Sequence, residues 1–208
     1  MDMDNTPLEG APPHQTAVNP LTRAVLEIDS YVAGLGWDRP AMLFALVDTD
    51  RLRAEEPDLA ERIGLDADGA PGPEDSAAAS GVSLTPIEQD EIPAGVPLDE
   101  FLATIAWPDA VSGCALTVER LMLPPSAEAA VPAELRDGGD DGAALARWVA
   151  EHPERQEVRM TVAVLRDGER ETALRLREKD TELDVLTGPD LVPGLATALA
   201  ATFDEPTG

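Results

Sequence analysis

Cysteine is nearly absent. Cys114 stands alone in 208 residues, so no disulfide can form within the chain and a Cys-rich zinc site is excluded. Histidine is almost as scarce: His14 lies in a Pro-rich arm and His152 directly precedes Pro153. Neither stands near a Gly-x-Ser-x-Gly turn, so a Ser-His-Asp triad has no support. Lys179 is the single lysine. The phosphate-gripping loop G-x-x-x-x-G-K-[ST] is missing, which excludes nucleotide triphosphatases of that class. Gly34-Leu35-Gly36 lacks the third glycine of a dinucleotide fingerprint and ends a helical pattern instead of following a strand.

Cations are few against anions. Lys and Arg number 15 and Asp and Glu 41, a formal net charge of −26. That surface repels phosphate backbones and anionic headgroups, so neither nucleic acid nor membrane is an expected partner. No run reaches the ~18 apolar residues of a membrane span. The acidic start Met1-Asp2-Met3-Asp4 lacks the basic and apolar regions of a secretory signal, so the expected location is cytoplasmic.

Order is legible beyond this. Pro, Asp, Asn and Thr dominate residues 1–18, which read as a disordered arm. Asn19-Pro20 is a helix start, and Leu21, Val25, Ile28, Val32 and Leu35 recur at helical spacing up to Gly36. Residues 41–47 are apolar on both faces, the mark of a central strand. A charged helix is predicted from about Thr49 to Ile63 with a break near Pro57, its Leu52, Leu59 and Ile63 facing inward. Residues 64–82 lose all pattern and read as a flexible loop. Ser83–Gln89 suits a short edge strand weakened by Pro86. Leu98, Phe101, Leu102 and Ile105 mark a short helix closed by Trp107-Pro108. Cys114–Leu123 reads as a strand, with a bulge expected near Glu119-Arg120 where the apolar parity changes. Leu145, Trp148 and Val149 mark a helix stopped by Pro153.

A hairpin follows. A three-residue loop, Arg166-Asp167-Gly168, pairs Val162 with Thr172 and Met160 with Leu174, which puts both apolar sets on one face and makes Gly168 left-handed. Leu183–Leu186 is expected as a last strand, and Asp190 as the cap of a closing helix with Leu191, Leu195, Leu199 and Phe203. The predicted class is α+β, a largely antiparallel sheet with helices packed against it. Residues 19–204 are expected to form a single domain.

Asp48-Thr49-Asp50, at the exit of the most apolar strand, is the sharpest chemical candidate. Haloacid-dehalogenase-type phosphatases place a nucleophilic and an acid/base aspartate at D-x-D with magnesium between carboxylate and phosphate. Such a site also needs a lysine, for which only Lys179 is on offer, and distant carboxylates, which Asp140-Asp141 imitate without a strand to deliver them. Arg51-Leu52 follows the second aspartate where that motif usually continues Gly-Thr. The competing reading makes Asp48 a helix cap. Asp66-Ala67-Asp68-Gly69 starts like a calcium loop but lacks its later ligands. Glu88, Asp90 and Glu91 read as a solvated edge, since glycosidase carboxylates need a cleft and a substrate platform. Trp37, Trp107 and Trp148 suit packing at helix ends, and Cys114 suits a small buried hydrophobe.

Three stretches, LTRAVLEIDSYVAGLGWDRPAMLFALV (21–47), IAWPDAVSGCALTVERLMLPP (105–125) and residues 152–203, resemble a conserved, uncharacterised family of actinobacterial proteins. Trp107-Pro108-Asp109-Ala110-Val111 and Gly188-Pro189-Asp190-Leu191-Val192-Pro193-Gly194 are the most distinctive phrases. The resemblance implies no established activity, cofactor or catalytic residue. The expectation is therefore a non-catalytic, acidic protein-binding or chaperone-like module, with no metal or cofactor, whose partner is another protein, a basic one by charge. Its oligomeric state is open. The alternative is a magnesium-dependent phosphatase using Asp48 and Asp50.

Overall fold

The computed structural model describes residues 19–62, 65, 83–89, 92, 96–137 and 142–204. The predicted arm at 1–18 lies outside them, as does the predicted loop at 64–82 apart from Leu65. The chain runs through α1 (Pro20–Gly34), β1 (Met42–Asp48), α2 (Thr49–Glu55), α3 (Pro57–Arg62), β2 (Leu84–Glu88), α4 (Leu98–Leu102), β3 (Val111–Met122), α5 (Pro125–Glu128), α6 (Ala133–Asp137), α7 (Gly142–Glu151), β4 (Gln156–Leu165), β5 (Arg170–Leu176), β6 (Leu186–Gly188) and α8 (Pro193–Ala200). The strands form one sheet in the order β2-β1-β3-β4-β5-β6. Every neighbouring pair is antiparallel. The fold is α+β.

Helix α1 begins as its sequence dictates. The Asn19 side chain accepts from the Leu21 amide at 2.8 Å, and Pro20 fills the first turn without needing an acceptor. Gly36 at φ 86° turns the chain out of the helix. The helix stripe Leu21, Val25, Ile28 and Val32 packs on Met42, Phe44, Leu46, Ala115, Ala163 and Ala173, the residues that β1, β3, β4 and β5 turn toward it. On the opposite face Leu43, Cys114, Leu116, Val118, Val158, Met160, Val162 and Val164 meet Leu102 of α4 and Ala196 and Leu199 of α8. Strand β1, buried on both faces from Met42 to Val47, is the central strand its sequence predicts. Pro57 divides the charged helix into α2 and α3. Within that helix, Leu52 is buried.

The hairpin register is the predicted one: Val162 faces Thr172, Met160 faces Leu174, and Gly168 takes φ 94°. Three expectations are corrected. The bulge of β3 sits at its start, where Leu46 faces Gly113 but Val47 faces Val111, leaving Ser112 as the extra residue. Through Glu119 and Arg120 the ladder to β4 is continuous. Leu121 breaks the parity because it is an exposed side chain near the end of a long strand. The last strand is shorter than expected, starting at Leu186 after a 3-10 turn at Glu182–Asp184. Asp190 does not cap α8; its N-cap is Val192, and Pro193 opens the helix without an amide to satisfy.

Candidate functional site

Asp48 leaves β1 and caps α2, accepting from the Arg51 amide at 2.9 Å. Thr49 turns inward, donating to the Ser83 carbonyl at 2.9 Å and sharing a 2.8 Å bond with the Thr85 hydroxyl. Asp50 points out, its side chain 86% exposed, against Arg53 at 3.4 Å. Asp48 also lines an open groove of about 490 Å³ with Asn19, Asp109, Ser112, Arg166 and Glu169. The one cation among the described residues lining it is committed. Arg166 donates to the carbonyls of Val111 (2.7 Å), Trp107 (3.1 Å) and Pro108 (3.0 Å), with its guanidinium 4.7 Å from the Phe203 ring centroid. Lys179 bridges back to Leu176, at the opposite end of the sheet. Asp140-Asp141 lie outside the described residues, as do Asp66-Ala67-Asp68-Gly69, Asp90 and Glu91. Glu88 accepts from the Tyr31 hydroxyl at 2.9 Å. The D-x-D pair is thus placed by helix capping and surface pairing, not by converging charges. Among the described residues no three His, Cys, Asp or Glu side chains gather as metal ligands.

Charge does converge under the far end of α1. Asp29 is buried on the helix and accepts from Arg175 Nε at 3.0 Å and Nη2 at 2.6 Å. Arg175 also reaches Asp180 at 3.1 Å. Its cross-strand neighbour Arg159 is fully buried and pairs with Glu119 at 2.8 Å and 3.1 Å. The Arg159 guanidinium lies 4.4 Å from the Trp37 ring centroid and donates to the Gly36 carbonyl. Trp37 Nε1 donates to Asp180 at 2.8 Å. That bond first, and the Arg175 guanidinium behind it, hold the Asp180 carboxyl below the usual aspartate value. Glu119 accepts from the Asp38 amide at 2.8 Å, and Arg177 grips the Asp38 carboxylate at 2.8 and 2.9 Å. Together these bonds clamp the α1–β1 turn, where Asp38 sits at φ 64°. Sequence reasoning passed over the cluster because its members come from α1, β3, β4, β5 and two loops. Arg159 and Arg175 on the hairpin's inner face are the one signal that could have found it.

A third region is apolar and open. Strand β6 pairs with β5 on one side and with no strand among the described residues on the other. Leu183 is 98% exposed beside it, Leu186 60% and Leu191 41%. Leu26, exposed on α1, lies on the helix stripe between Thr22, which bonds Glu171, and Ser30, which bonds Glu182. Three of the eight exposed large hydrophobics among the described residues, Leu183, Leu186 and Leu191, therefore stand on or beside this edge, while Leu26 lies on the α1 side of the sheet. Glu182, Asp184 and Asp190 rim it, with no ion pair among the described residues.

A family model described as PPA1309-like protein matches residues 21–204. The chain belongs to that family. No activity is established for the PPA1309-like proteins, and the matched span takes in the α1 cluster and the β6 edge alike. No curated protein and no solved structure matches the chain. Among the described residues no helix is long and apolar enough to cross a membrane.

The remaining candidates of this PPA1309-like chain are packing residues. Trp107 stacks on Phe203 at 6.1 Å and donates to the Thr202 hydroxyl at 2.8 Å. Trp148 lies 4.9 Å from the His152 ring. Cys114 is fully buried, and burial pushes its thiol up to about 12, so the nucleophilic thiolate is not populated at neutral pH.

Proposed function

We propose that the chain is a non-catalytic protein-binding module, and that its partner docks on the open β6 edge. One observation supports this reading more than any other: three of the eight exposed large hydrophobics among the described residues, Leu183, Leu186 and Leu191, stand on or beside one sheet edge that no described strand pairs, inside an acidic rim. Apolar patches of this kind, rimmed by polar groups, mark interaction sites on otherwise soluble surfaces. The whole-chain charge of −26 favours a basic partner and speeds its approach. The cytoplasm is the compartment this proposal assumes.

The test is capture of partners from the native cell lysate by tagged wild type and by a Leu183→Ser/Leu186→Ser variant, at low salt and at ~0.5 M salt. At the higher salt the screening length is roughly 4 Å and purely electrostatic passengers leave. Both leucines are exposed, so the variant should melt with the wild type. The expected result is one stoichiometric partner that survives the salt wash on wild type and is absent from the variant. Equal capture by both removes the β6 edge from the reading. Magnesium-dependent hydrolysis of p-nitrophenyl phosphate that disappears in Asp48→Asn would instead overturn the non-catalytic assignment.

A further inference from the structure

The two edges of the sheet are not equivalent, and the difference points to how a partner sits on one of them. Strand β2 carries Pro86 within its ladder to β1, and a proline on an edge blocks further pairing. Tyr31 of α1 reaches across to Glu88 at that edge's end. Strand β6 carries no proline between Leu186 and Gly188. Its register sets Leu186 against Leu174 and Thr187 against Ala173. Leu186 therefore joins the sheet face on which Leu174 and Leu176 are only partly buried, while Thr187 joins the face under α1. Leu191 comes back over Gly188, where a Cβ would meet its side chain at 3.4 Å. The edge thus offers backbone that no described strand pairs, an apolar shelf on one face and none on the other among the described residues. That is the alternation an extended strand reads.

Charge chooses the occupant. From Glu178 to Asp190 the chain carries five carboxylates and one lysine. Asp180 is satisfied by Arg175 and Trp37, which leaves Glu182, Asp184 and Asp190 facing solvent without a counter-ion among the described residues. A second copy would bring the same carboxylates to the same edge, on a chain that already carries −26, and like charges set opposite one another repel. Resting on the protein-binding reading above, we infer that β6 accepts a seventh strand: an extended segment of a different protein, with apolar side chains at alternate positions and lysine or arginine between and beside them. Its backbone pairs with β6, its apolar side chains lie on Leu186 and Leu191, and its cations meet Glu182, Asp184 and Asp190.

The probe is a fluorescein-labelled nine-residue peptide, Arg-Lys-Val-Lys-Val-Lys-Val-Lys-Arg, titrated with the full chain and read by anisotropy. Two controls accompany it, one with the central valine replaced by proline and one with glutamate at every basic position. Expected are saturable binding of the first peptide, at least tenfold weaker binding of the proline peptide, and no binding of the glutamate peptide. Leu186→Asp should weaken the first peptide at least tenfold, and amide exchange at Leu186–Gly188 should slow in its presence. Equal binding of the valine and proline peptides would leave only charge attraction and overturn the strand. A dimer in sedimentation that Leu186→Asp dissociates would overturn the choice of occupant. Failure of all peptides, with the lysate partner still lost from the Leu183→Ser/Leu186→Ser variant, would sink strand addition while leaving protein binding intact. Failure of all peptides together with equal lysate capture by wild type and variant would sink both.

Discussion

Along β4 the two faces of the sheet are one residue apart and obey different chemistry. Val158, Met160, Val162 and Val164 enter a layer under α8 that is almost wholly hydrocarbon, with Cys114, Leu116 and Leu199 around them. Arg159, Thr161 and Ala163 enter the layer under α1. There, apolar contact with Leu21 and Val25 gives way, strand position by strand position, to a threonine pair at 3.1 Å (Thr117 and Thr161) and then to the ions of Arg159, Glu119, Arg175 and Asp29. Apolar packing through Ala196 and Leu199 holds α8, whereas α1 is held by its apolar stripe and by directional ion pairs as well. The contrast teaches that α1 is fixed in place more tightly than its apolar stripe alone requires.

The largest expected effect comes from breaking the buried pair. Arg175→Met leaves Asp29 buried and uncompensated and should lower unfolding free energy by about 3–5 kcal/mol. Asp29→Leu/Arg175→Met should recover most of that loss, since paired removal spares the desolvation of both ions. Chemical denaturation of the two variants checks both. If the double variant is as unstable as the single, the ion pair does more than neutralise itself. On the other face, Leu199→Ala should cost about 2–5 kcal/mol, and no second substitution of a polar neighbour should restore it.

A smaller loss, about 1 kcal/mol, is expected for Gly168→Ala, because the hairpin needs φ 94° there. Gly113 is a different case: a Cβ would stand 2.6 Å from the Val164 carbonyl, so space and not φ forbids alanine.

These positions separate what the sequence made legible from what it hid. Asn19-Pro20, the β1 run and the three-residue hairpin were readable because each rests on local chemistry: a cap, two-faced burial, and the single register that buries both apolar sets. The bulge was misplaced because Leu121 looks like core by composition, whereas near the end of its long strand it stands exposed. Asp190 looks like a cap by residue type, but the helix starts at Pro193 and its cap position falls on Val192, two residues further on. The α1 cluster and the β6 edge were hidden for a common reason. Asp29 and Arg175 are 146 residues apart, and the exposure of Leu183 and Leu186 depends on which strand fails to arrive beside them.

The smallest expected effects lie at the cluster's rim. Asp180, held below the ordinary aspartate value by Trp37 and Arg175, contributes stability that is complete above that ordinary value and is lost as pH falls through the lowered one. The stability gap between wild type and Asp180→Asn should therefore be constant near neutral pH and close in acid. Denaturant titrations of the two proteins at a series of pH values, read by tryptophan fluorescence, measure it. A gap that widens on acidification would reverse the assignment.

The long reach between α1 and β5 also sets a schedule. At ribosomal speeds of ~5–20 residues per second, roughly 7–30 s separate the emergence of Asp29 from that of Arg175. For much of that interval the stripe of Val25, Ile28 and Val32 has β1 of its final partners to lie on, without the hairpin. The meander from β3 to β6 can pair as it is made, each strand finding its predecessor. The first helix can lie on β1 early, but its ion clamp closes only once β5 is made, and a nascent chain truncated before residue 170 would leave Asp29 without its Arg175 partner.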